Sequence, residues 1–289
     1  MLVATNISAL THYCKATADQ LRLQILRILS RESFGVLEIC HIVAAAQPAV
    51  SHHLKILNAA GLTETKRQGT SIYYRRAFVS NDDPIKQLRA SLFDSIDQVP
   101  LDVEISQRTQ EVYDARHRAA QEFFAKNAHR LKENQDLIAE YKHYDTCLTS
   151  LIDTYDADSK VIEIGPGESD LLIGLASHFN QVVAIDNTTE MLARTEAKLV
   201  TESVANVRLI KAELHELPLQ PTFNLVVLNM VLHHLASPAK LFQDAYRYLA
   251  LGGHLLIAEL CFHDQAWTKD VCGDLWLGFE PEELDKWAI

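Results

Sequence analysis

The sequence lacks the features of membrane-spanning and secreted proteins. No apolar run approaches the roughly 20 residues that a membrane-spanning helix needs, and the first residues carry neither a basic segment nor a clean apolar core. The cysteines are few, and none forms a C-x-x-C pair, which argues against a disulfide framework or a zinc knuckle. We therefore expect a cytoplasmic protein that has no membrane partner.

Acidic residues outnumber basic residues in the whole chain, but not in its first quarter. The 289 residues carry a net charge of -11, whereas residues 1–80 hold nine lysine and arginine side chains against four acidic ones. An acidic protein is a poor partner for nucleic acid, yet a basic segment restores that possibility. The two ends of the chain are therefore expected to do different jobs.

The first quarter has the pattern of a winged helix-turn-helix. Asp19 is an expected N-cap, and Pro48 fits the first turn of a helix that ends at Gly61. Two β-prone runs around Gln68-Gly69 then predict a hairpin. Beyond the hairpin we expect a helix at 84–98 and one or two long helices over 104–150.

From Lys160 onward, short apolar segments alternate with helical patterns, which is typical of a parallel, doubly wound sheet. The predicted strands are 161–164, 182–186, 207–210, 223–229 and 254–260. After the first strand, Gly165 permits a sharp turn and Gly167 lets a ligand lie against bare backbone. Asp186, at the end of the next strand, is placed to bind both hydroxyls of a ribose.

The segment E-I-G-P-G-E-S resembles motif I of the class I S-adenosylmethionine-dependent methyltransferases, and three later blocks resemble the family's following motifs in order. The resemblance is to the small-molecule branch, covers roughly residues 155–289, and implies a Rossmann-like fold that binds S-adenosylmethionine or S-adenosylhomocysteine. The residues that match the family's ligand-binding positions are Glu163, Gly165, Pro166, Gly167, Asp186, Asn187, Met191, Ala212, Glu213, Leu214, Asn229 and Met230.

Several departures from that family pattern matter for function. Ser169 replaces the third glycine, and neither an N/D-P-P-Y clamp nor a Pro-Cys nucleophile is present, which argues against the chemistry of DNA methyltransferases. His233 and His234 are adjacent and no third ligand is evident, so we expect no metal. A missing catalytic base does not exclude methyl transfer, because that reaction depends mainly on proximity in a desolvated pocket.

The segment A-A-Q-P-A-V-S-H-H-L-K-I-L-N-A-A-G-L resembles the recognition helix of the ArsR winged-helix family, and the resemblance covers roughly residues 8–98. It implies a homodimer that reads an inverted repeat in double-stranded DNA, with the helices at 5–18 and 84–98 pairing the protomers. Helical spacing buries Val50, Leu54 and Leu57, with His53 beside them. The side chains expected to contact DNA are Gln47, Ser51, His52, Lys55, Lys66, Arg67 and Arg75.

Metal sensing, the obvious function in that family, lacks its ligands in this chain. The resemblance assigns the family's C-V-C positions to Gly35, Val36 and Leu37, and no D-x-H pattern occurs in 82–98. Cys40 lies three positions off that register. The second domain is therefore expected to take the place of the metal site.

The predicted architecture is an α+β winged helix-turn-helix domain (1–98), a helical linker (99–150) and an α/β Rossmann-like methyltransferase domain (151–289). The leading hypothesis is a transcriptional regulator controlled by S-adenosylmethionine or S-adenosylhomocysteine. The alternative is an active small-molecule methyltransferase with an appended winged helix. Because the sequence stops where the family continues into two more strands, we expect a five-stranded sheet in a shortened chain.

Overall fold

A computed structural model describes residues 7–78, 83–127, 129, 134, 137–218, 220 and 222–288. The chain divides into two compact units, Met1–Ala115 and Arg116–Ile289. The division falls inside one helix, so the segment 99–150 that the sequence predicts as a linker contributes to both units. No helix in the described part is long and apolar enough to cross a membrane.

The first unit contains a helix-turn-helix and a small antiparallel sheet, as predicted. Its helices are α1 (Ile7–Thr17), α2 (Gln20–Ile28), α3 (Val36–Val43), α4 (Gln47–Ala59) and α5 (Lys86–Gln98). Its strands are β1 (Phe34–Gly35), β2 (Thr63–Gln68) and β3 (Ser71–Arg76), arranged in the order β1-β3-β2.

Local sequence explains where the recognition helix begins and ends. Pro48 lies in the first turn of α4, where its missing N–H costs no helical hydrogen bond, and Gly61 follows the helix with φ of 67°. Val50, Leu54 and Leu57 are fully buried in the core of the first unit. Burial of this face leaves the opposite face of α4 exposed.

The wing is held to the first unit by a buried arginine at the end of β3. The guanidinium of Arg76 donates to the Leu26 carbonyl at 2.6 Å and to both carboxylate oxygens of Asp97 on α5, at 2.7 and 2.9 Å. It also stacks on the ring of Phe93 at 4.5 Å. Arg76, which the sequence marks only as a basic wing residue, therefore joins the wing to α2 and α5.

One long helix, α6 (Val103–Asn127), contains the division between the units. The prediction of one or two long helices over 104–150 fits α6. Residues 128, 130–133, 135 and 136 lie outside the described residues, and after them residues 141–143 form a single 3-10 turn, followed by the short helix α7 (Asp145–Ile152). Tyr141 and Tyr144 pack against the core of the second unit, and this tertiary packing outweighs their local helical pattern.

The second unit is a five-stranded parallel sheet with helices between its strands, as predicted. Its order is β6-β5-β4-β7-β8, with β4 at the centre. The strands are β4 (Val161–Ile164), β5 (Val182–Asp186), β6 (Val207–Lys211), β7 (Phe223–Asn229) and β8 (Leu249–Ala258). The helices after α7 are α8 (Asp170–His178), α9 (Thr189–Thr201), α10 (Pro238–Tyr248), α11 (Thr268–Val271) and α12 (Pro281–Trp287).

The last strand begins earlier than predicted. β8 starts at Leu249, directly after α10, whereas the sequence places its start at His254. Leu249 pairs with Phe223 and His254 with Leu225, so the register shifts between the two pairs. Gly252, with φ of 75°, lies in this irregular stretch. Gly252 and Gly253 interrupt the apolar pattern from which a strand is predicted, so the sequence does not show where β8 begins.

Replacement of Arg76 by alanine is expected to loosen the wing. The substitution should lower the free energy of unfolding by about 2–3 kcal/mol, because it removes two charge-assisted hydrogen bonds to Asp97 and one hydrogen bond to the Leu26 carbonyl. Hydrogen exchange, followed by mass spectrometry, should become faster in peptides covering β3 and α2. Arg67→Ala, at an exposed position on the same hairpin, is the control, and equal exchange in both variants would contradict the assignment.

Candidate functional site

The predicted ligand residues lie along the carboxyl ends of β4, β5 and β7, which meet at one edge of the sheet. Glu163, on the central strand, is fully buried. Neither of its carboxylate oxygens has a hydrogen-bond partner among the residues that the structure describes. Burial raises the pKa of Glu163 to about 8, against a weak opposing effect from Lys198. Burial of a carboxyl group without hydrogen-bond donors is energetically costly, which makes Glu163 a candidate functional residue.

Two glycines shape the turn after β4. Gly165 has φ of 63°, and a Cβ at this position would lie 2.9 Å from a methyl group of Val231. Gly167 has φ of 51°, and its Cβ would meet the Met191 side chain at 3.3 Å. Pro166, between them, is buried. Backbone conformation and close packing together require glycine at both positions.

Ser169, which stands where the methyltransferase family has its third glycine, has two roles in the structure. Its hydroxyl accepts from the Leu171 N–H at 3.0 Å and so caps α8. It also accepts from the side-chain amide of Asn229 at 3.2 Å. The carbonyl oxygen of that amide accepts from the Tyr144 hydroxyl at 3.1 Å. The serine therefore links the glycine turn to the end of β7.

The acid predicted to bind ribose ends β5. Asp186 accepts from the Thr188 N–H at 2.8 Å, and burial raises its pKa to about 6 despite that bond. Ala212 follows β6 and donates its N–H to the Asp186 carbonyl at 3.1 Å. These contacts place the segment that begins at Asp186 beside the segment that begins at Ala212.

Glu213 is held by one residue that the sequence predicts and by one that it does not. Asn187 donates to the Glu213 carboxylate at 3.1 Å, and His117 Nε2 lies 3.2 Å from the same oxygen. Leu214 is buried after it. His117 belongs to α6, far from every methyltransferase motif in sequence, so only the folded chain reveals its position.

The end of β7 carries backbone strain. Met230 is buried with φ of 59°, a conformation that a residue with a side chain rarely adopts, and its N–H donates to the Ala258 carbonyl at 2.9 Å. Strain of this kind persists only where surrounding contacts enforce it, and it is concentrated at functional sites. It fixes Asn229 and Met230 at the same edge of the sheet as Glu163.

A second polar cluster lies beyond β7 and β8. His233 Nδ1 lies 2.5 Å from Glu259, and Asp274 and His234 lie beside it, all of them buried. Burial lowers the pKa of His233, but the neighbouring Glu259 and Asp274 carboxylates outweigh it and the pKa is raised. Burial and the adjacent His233 hold the pKa of His234 well below its usual value.

On the first unit, most of the residues predicted to contact DNA are exposed. The exposed members are Gln47, Ser51, His52, Lys55 and Arg67. His53 is partly buried, with Nδ1 3.6 Å from Asp19 and 3.4 Å from Arg22, which agrees with the structural role expected for it.

Two wing residues differ from that expectation. Lys66 is only 6% exposed, because alternate residues of β2 turn inward, so it is removed from the proposed interface. Arg75 is half-buried, pairs with Glu64 at 2.7 Å and stacks over Phe78. A phosphate would have to compete with that pair.

Two family profiles match the chain. Residues 19–65 match "Bacterial regulatory protein, arsR family", and residues 162–257 match "Methyltransferase domain". An uncharacterized HTH-type transcriptional regulator of Methanocaldococcus jannaschii is 35% identical over 77 residues, which are 26% of this chain and 80% of the relative. An uncharacterized methyltransferase of Staphylococcus carnosus is 25% identical over 143 residues, covering 48% of this chain and 64% of the relative.

Among solved structures, the N-methyltransferase NodS of Bradyrhizobium japonicum, in complex with S-adenosyl-L-homocysteine, is similar to the chain with a TM-score of 0.43 and 19% identity. The match covers 61% of this chain and 84% of NodS.

Glu163→Gln should change how stability depends on pH. The ordinary pKa of the carboxyl group is 4.5 and the folded value is about 8, so the folded state holds its proton more tightly. The contribution of Glu163 to the stability of the folded state is therefore fully present below pH 4.5 and is lost as the pH rises through about 8. The wild type should lose stability relative to Glu163→Gln between pH 5 and 8.

Thermal unfolding of the ligand-free chain, followed by tryptophan fluorescence, measures this difference, because all three tryptophans lie in the second unit. Glu202→Gln, at an exposed position on the same unit, serves as the control and should keep the wild-type profile. A Glu163→Gln profile parallel to that of the wild type would show that the carboxyl titrates normally.

Proposed function

The chain belongs to the arsR family of bacterial regulatory proteins through its first domain and carries a methyltransferase domain behind it, and we propose a transcriptional regulator whose effector is an S-adenosyl compound. The observation that carries the proposal is the buried Glu163 carboxylate without a partner among the described residues. It lies beside a glycine turn in a chain whose recognition helix is exposed.

The residues at the sheet edge fit an S-adenosyl ligand. Such a ligand presents an ammonium group, a ribose and an adenine, and it lacks the second nucleotide of a dinucleotide. Glu163 supplies a desolvated negative charge for the ammonium, and Asp186 supplies two oxygens for the ribose hydroxyls. Asn187, Met191, Ala212, Glu213 and Leu214 surround the adenosine in this proposal, with Asn229 and Met230 at the amino-acid end.

The exposed face of α4 fits the major groove. Gln47 at the start of the helix and Ser51, His52 and Lys55 along it offer donors and acceptors to phosphates and base edges. Arg67 on the wing adds a positive charge close to the backbone. We therefore assign direct reading to α4 and backbone contact to the wing.

We further propose a cytoplasmic homodimer that binds an inverted repeat. α1 exposes Ile7 and α5 exposes Leu88, so both helices carry apolar surface that a second protomer can cover. Two recognition helices related by a two-fold axis match two half-sites about one helical turn apart.

Helix α6 runs from the DNA-reading unit into the unit that contains the proposed ligand site. Its first part supplies Ile105 and Val112 to the core of the first unit. Its second part supplies His117, which lies 3.2 Å from Glu213 in the proposed adenosine site. A ligand that reorders Glu213 therefore acts on a helix shared with the DNA-reading unit. A coupling of this kind is typically about 1–3 kcal/mol.

The alternative function is an active small-molecule methyltransferase. The same site serves a reaction in which the cofactor supplies the methyl group, and the chain's part is then to orient the ligand and exclude water. The match of residues 162–257 to a methyltransferase domain favours this alternative.

Removal of the α4 charges is expected to weaken DNA binding. Lys55→Ala should lower affinity for an operator, selected from random duplexes, by a similar factor across sequences and reduce the salt slope by about 1. His52→Ala should relax sequence preference at one position of each half-site. Fluorescence anisotropy at several salt concentrations separates the two effects. Lys126→Ala, an exposed charge on α6, is the control, and losses equal to that control would remove α4 from the interface.

Ligand is expected to change operator affinity by about 5–150-fold. Asp186→Asn should abolish that response and keep the affinity measured without ligand, because the substitution is far in sequence from the recognition helix. Anisotropy titrations with S-adenosylmethionine and S-adenosylhomocysteine test both points. An operator affinity that saturating ligand leaves unchanged overturns the regulator proposal. Release of S-adenosylhomocysteine with any acceptor would instead favour the methyltransferase alternative.

A further inference from the structure

The polar cluster beyond β7 has the composition of a metal site. His233, His234 and Asp274 each offer a ligand atom, and these atoms all lie within 4.8 Å of one another. Two atoms bound to one zinc ion at about 2.1 Å are separated by about 3–4 Å, so small shifts suffice. His233 Nε2 lies 3.7 Å from Asp274 Oδ1, and His234 Nδ1 lies 3.8 Å from the same oxygen.

His233 and His234 lie side by side in the folded chain. They occupy a 3-10 turn, with ring centroids 4.0 Å apart. The sequence alone reveals no third ligand. Asp274 supplies one from a loop 40 residues further along the chain, which no local motif announces.

A carboxylate holds His233 in the orientation that a metal ligand needs. Glu259 Oε1 lies 2.5 Å from His233 Nδ1, and Glu259 also accepts from the backbone N–H of His233 and of Leu260. The other ring nitrogen, Nε2, faces Asp274. A histidine bonded to a carboxylate through one nitrogen and to a metal through the other is a recurrent arrangement at zinc sites.

One further nitrogen in this region is buried without a partner. His234 Nε2 has no hydrogen-bond partner among the described residues, in a side chain that is 8% exposed. His234 Nδ1 lies 3.3 Å from the Gly273 carbonyl, which can only accept, so Nδ1 carries the proton and Nε2 holds the lone pair that a metal can take. A buried lone pair without a donor is costly, and a cation supplies what it lacks.

We propose that His233, His234 and Asp274 bind a divalent transition-metal ion, with zinc as the representative ion, and that Glu259 positions His233. Nitrogen and carboxylate ligands without sulfur suit zinc and its first-row neighbours. The site joins the end of β7 to the loop at Asp274, and its three protein ligands leave the fourth position of a tetrahedral ion to a water molecule. It lies in the second unit, whereas the metal-sensing positions of the arsR family would lie in the first unit, where the sequence lacks those ligands.

Metal analysis of the full chain tests the proposal. Protein stripped with a chelator and titrated with Zn²⁺ against a chromogenic competitor should bind about one ion per chain tightly. X-ray absorption should show nitrogen and oxygen neighbours. A sulfur shell, or an absence of binding against the competitor, overturns the proposal.

Matched variants identify the ligands. His234→Gln and Asp274→Asn should lose tight zinc binding, whereas Glu259→Gln should weaken it by about 10–100-fold, as loss of an orienting partner does. His254→Gln, an exposed histidine of β8, should bind as the wild type does. Zinc should raise the melting temperature seen by tryptophan fluorescence only where the site is intact. Wild-type affinity in both ligand variants refutes the assignment, and the absorption spectrum decides if either variant fails to fold.

Discussion

The second unit is organised around a carboxylate that the fold removes from water and leaves without a hydrogen-bond donor among the described residues. Glu163 lies on the central strand, and its side chain is fully buried. A protein gains nothing in stability from such a group, since burial holds its pKa near 8. The cost is explained if a cationic ligand completes the site. Met230 and the glycine turn lie at the same edge of the sheet. Both have positive φ, and the backbone strain of Met230 is a further energetic cost that is typical of functional sites.

The proposed ligand site, the proposed metal site and the proposed DNA surface differ in their chemistry. Glu163 has no hydrogen-bond donor among the described residues, the cluster at His233 combines two histidines with two carboxylates, and α4 exposes polar groups over a buried apolar face. Each region therefore suits a different partner: a cationic ligand, a metal ion and DNA, respectively. In the proposed regulator, α6 connects the ligand site to the DNA-reading unit, since His117 and Val112 belong to one continuous helix.

Much of this was predictable because local patterns specify it. The buried face of α4, the five strands and the residues around Gly165 follow from periodicity and motif spacing. His117 and Asp274 were missed because tertiary packing brings them to the site from segments with no motif. The wing shows the same limit: Lys66 reads as an exposed charge until β2 takes the register that turns it inward. Similarly, Tyr141 and Tyr144 end a helical pattern by packing on the sheet.

The central claim is that the ligand's ammonium replaces the proton on Glu163. Calorimetric titration of S-adenosylhomocysteine at pH 7, repeated in buffers of different ionisation enthalpy, measures the protons exchanged on binding. Because the pKa of Glu163 is about 8, that carboxyl is largely protonated at pH 7 before ligand arrives. The account predicts release of about one proton per ligand in the wild type and none in Glu163→Gln. Binding without proton release in the wild type would contradict it.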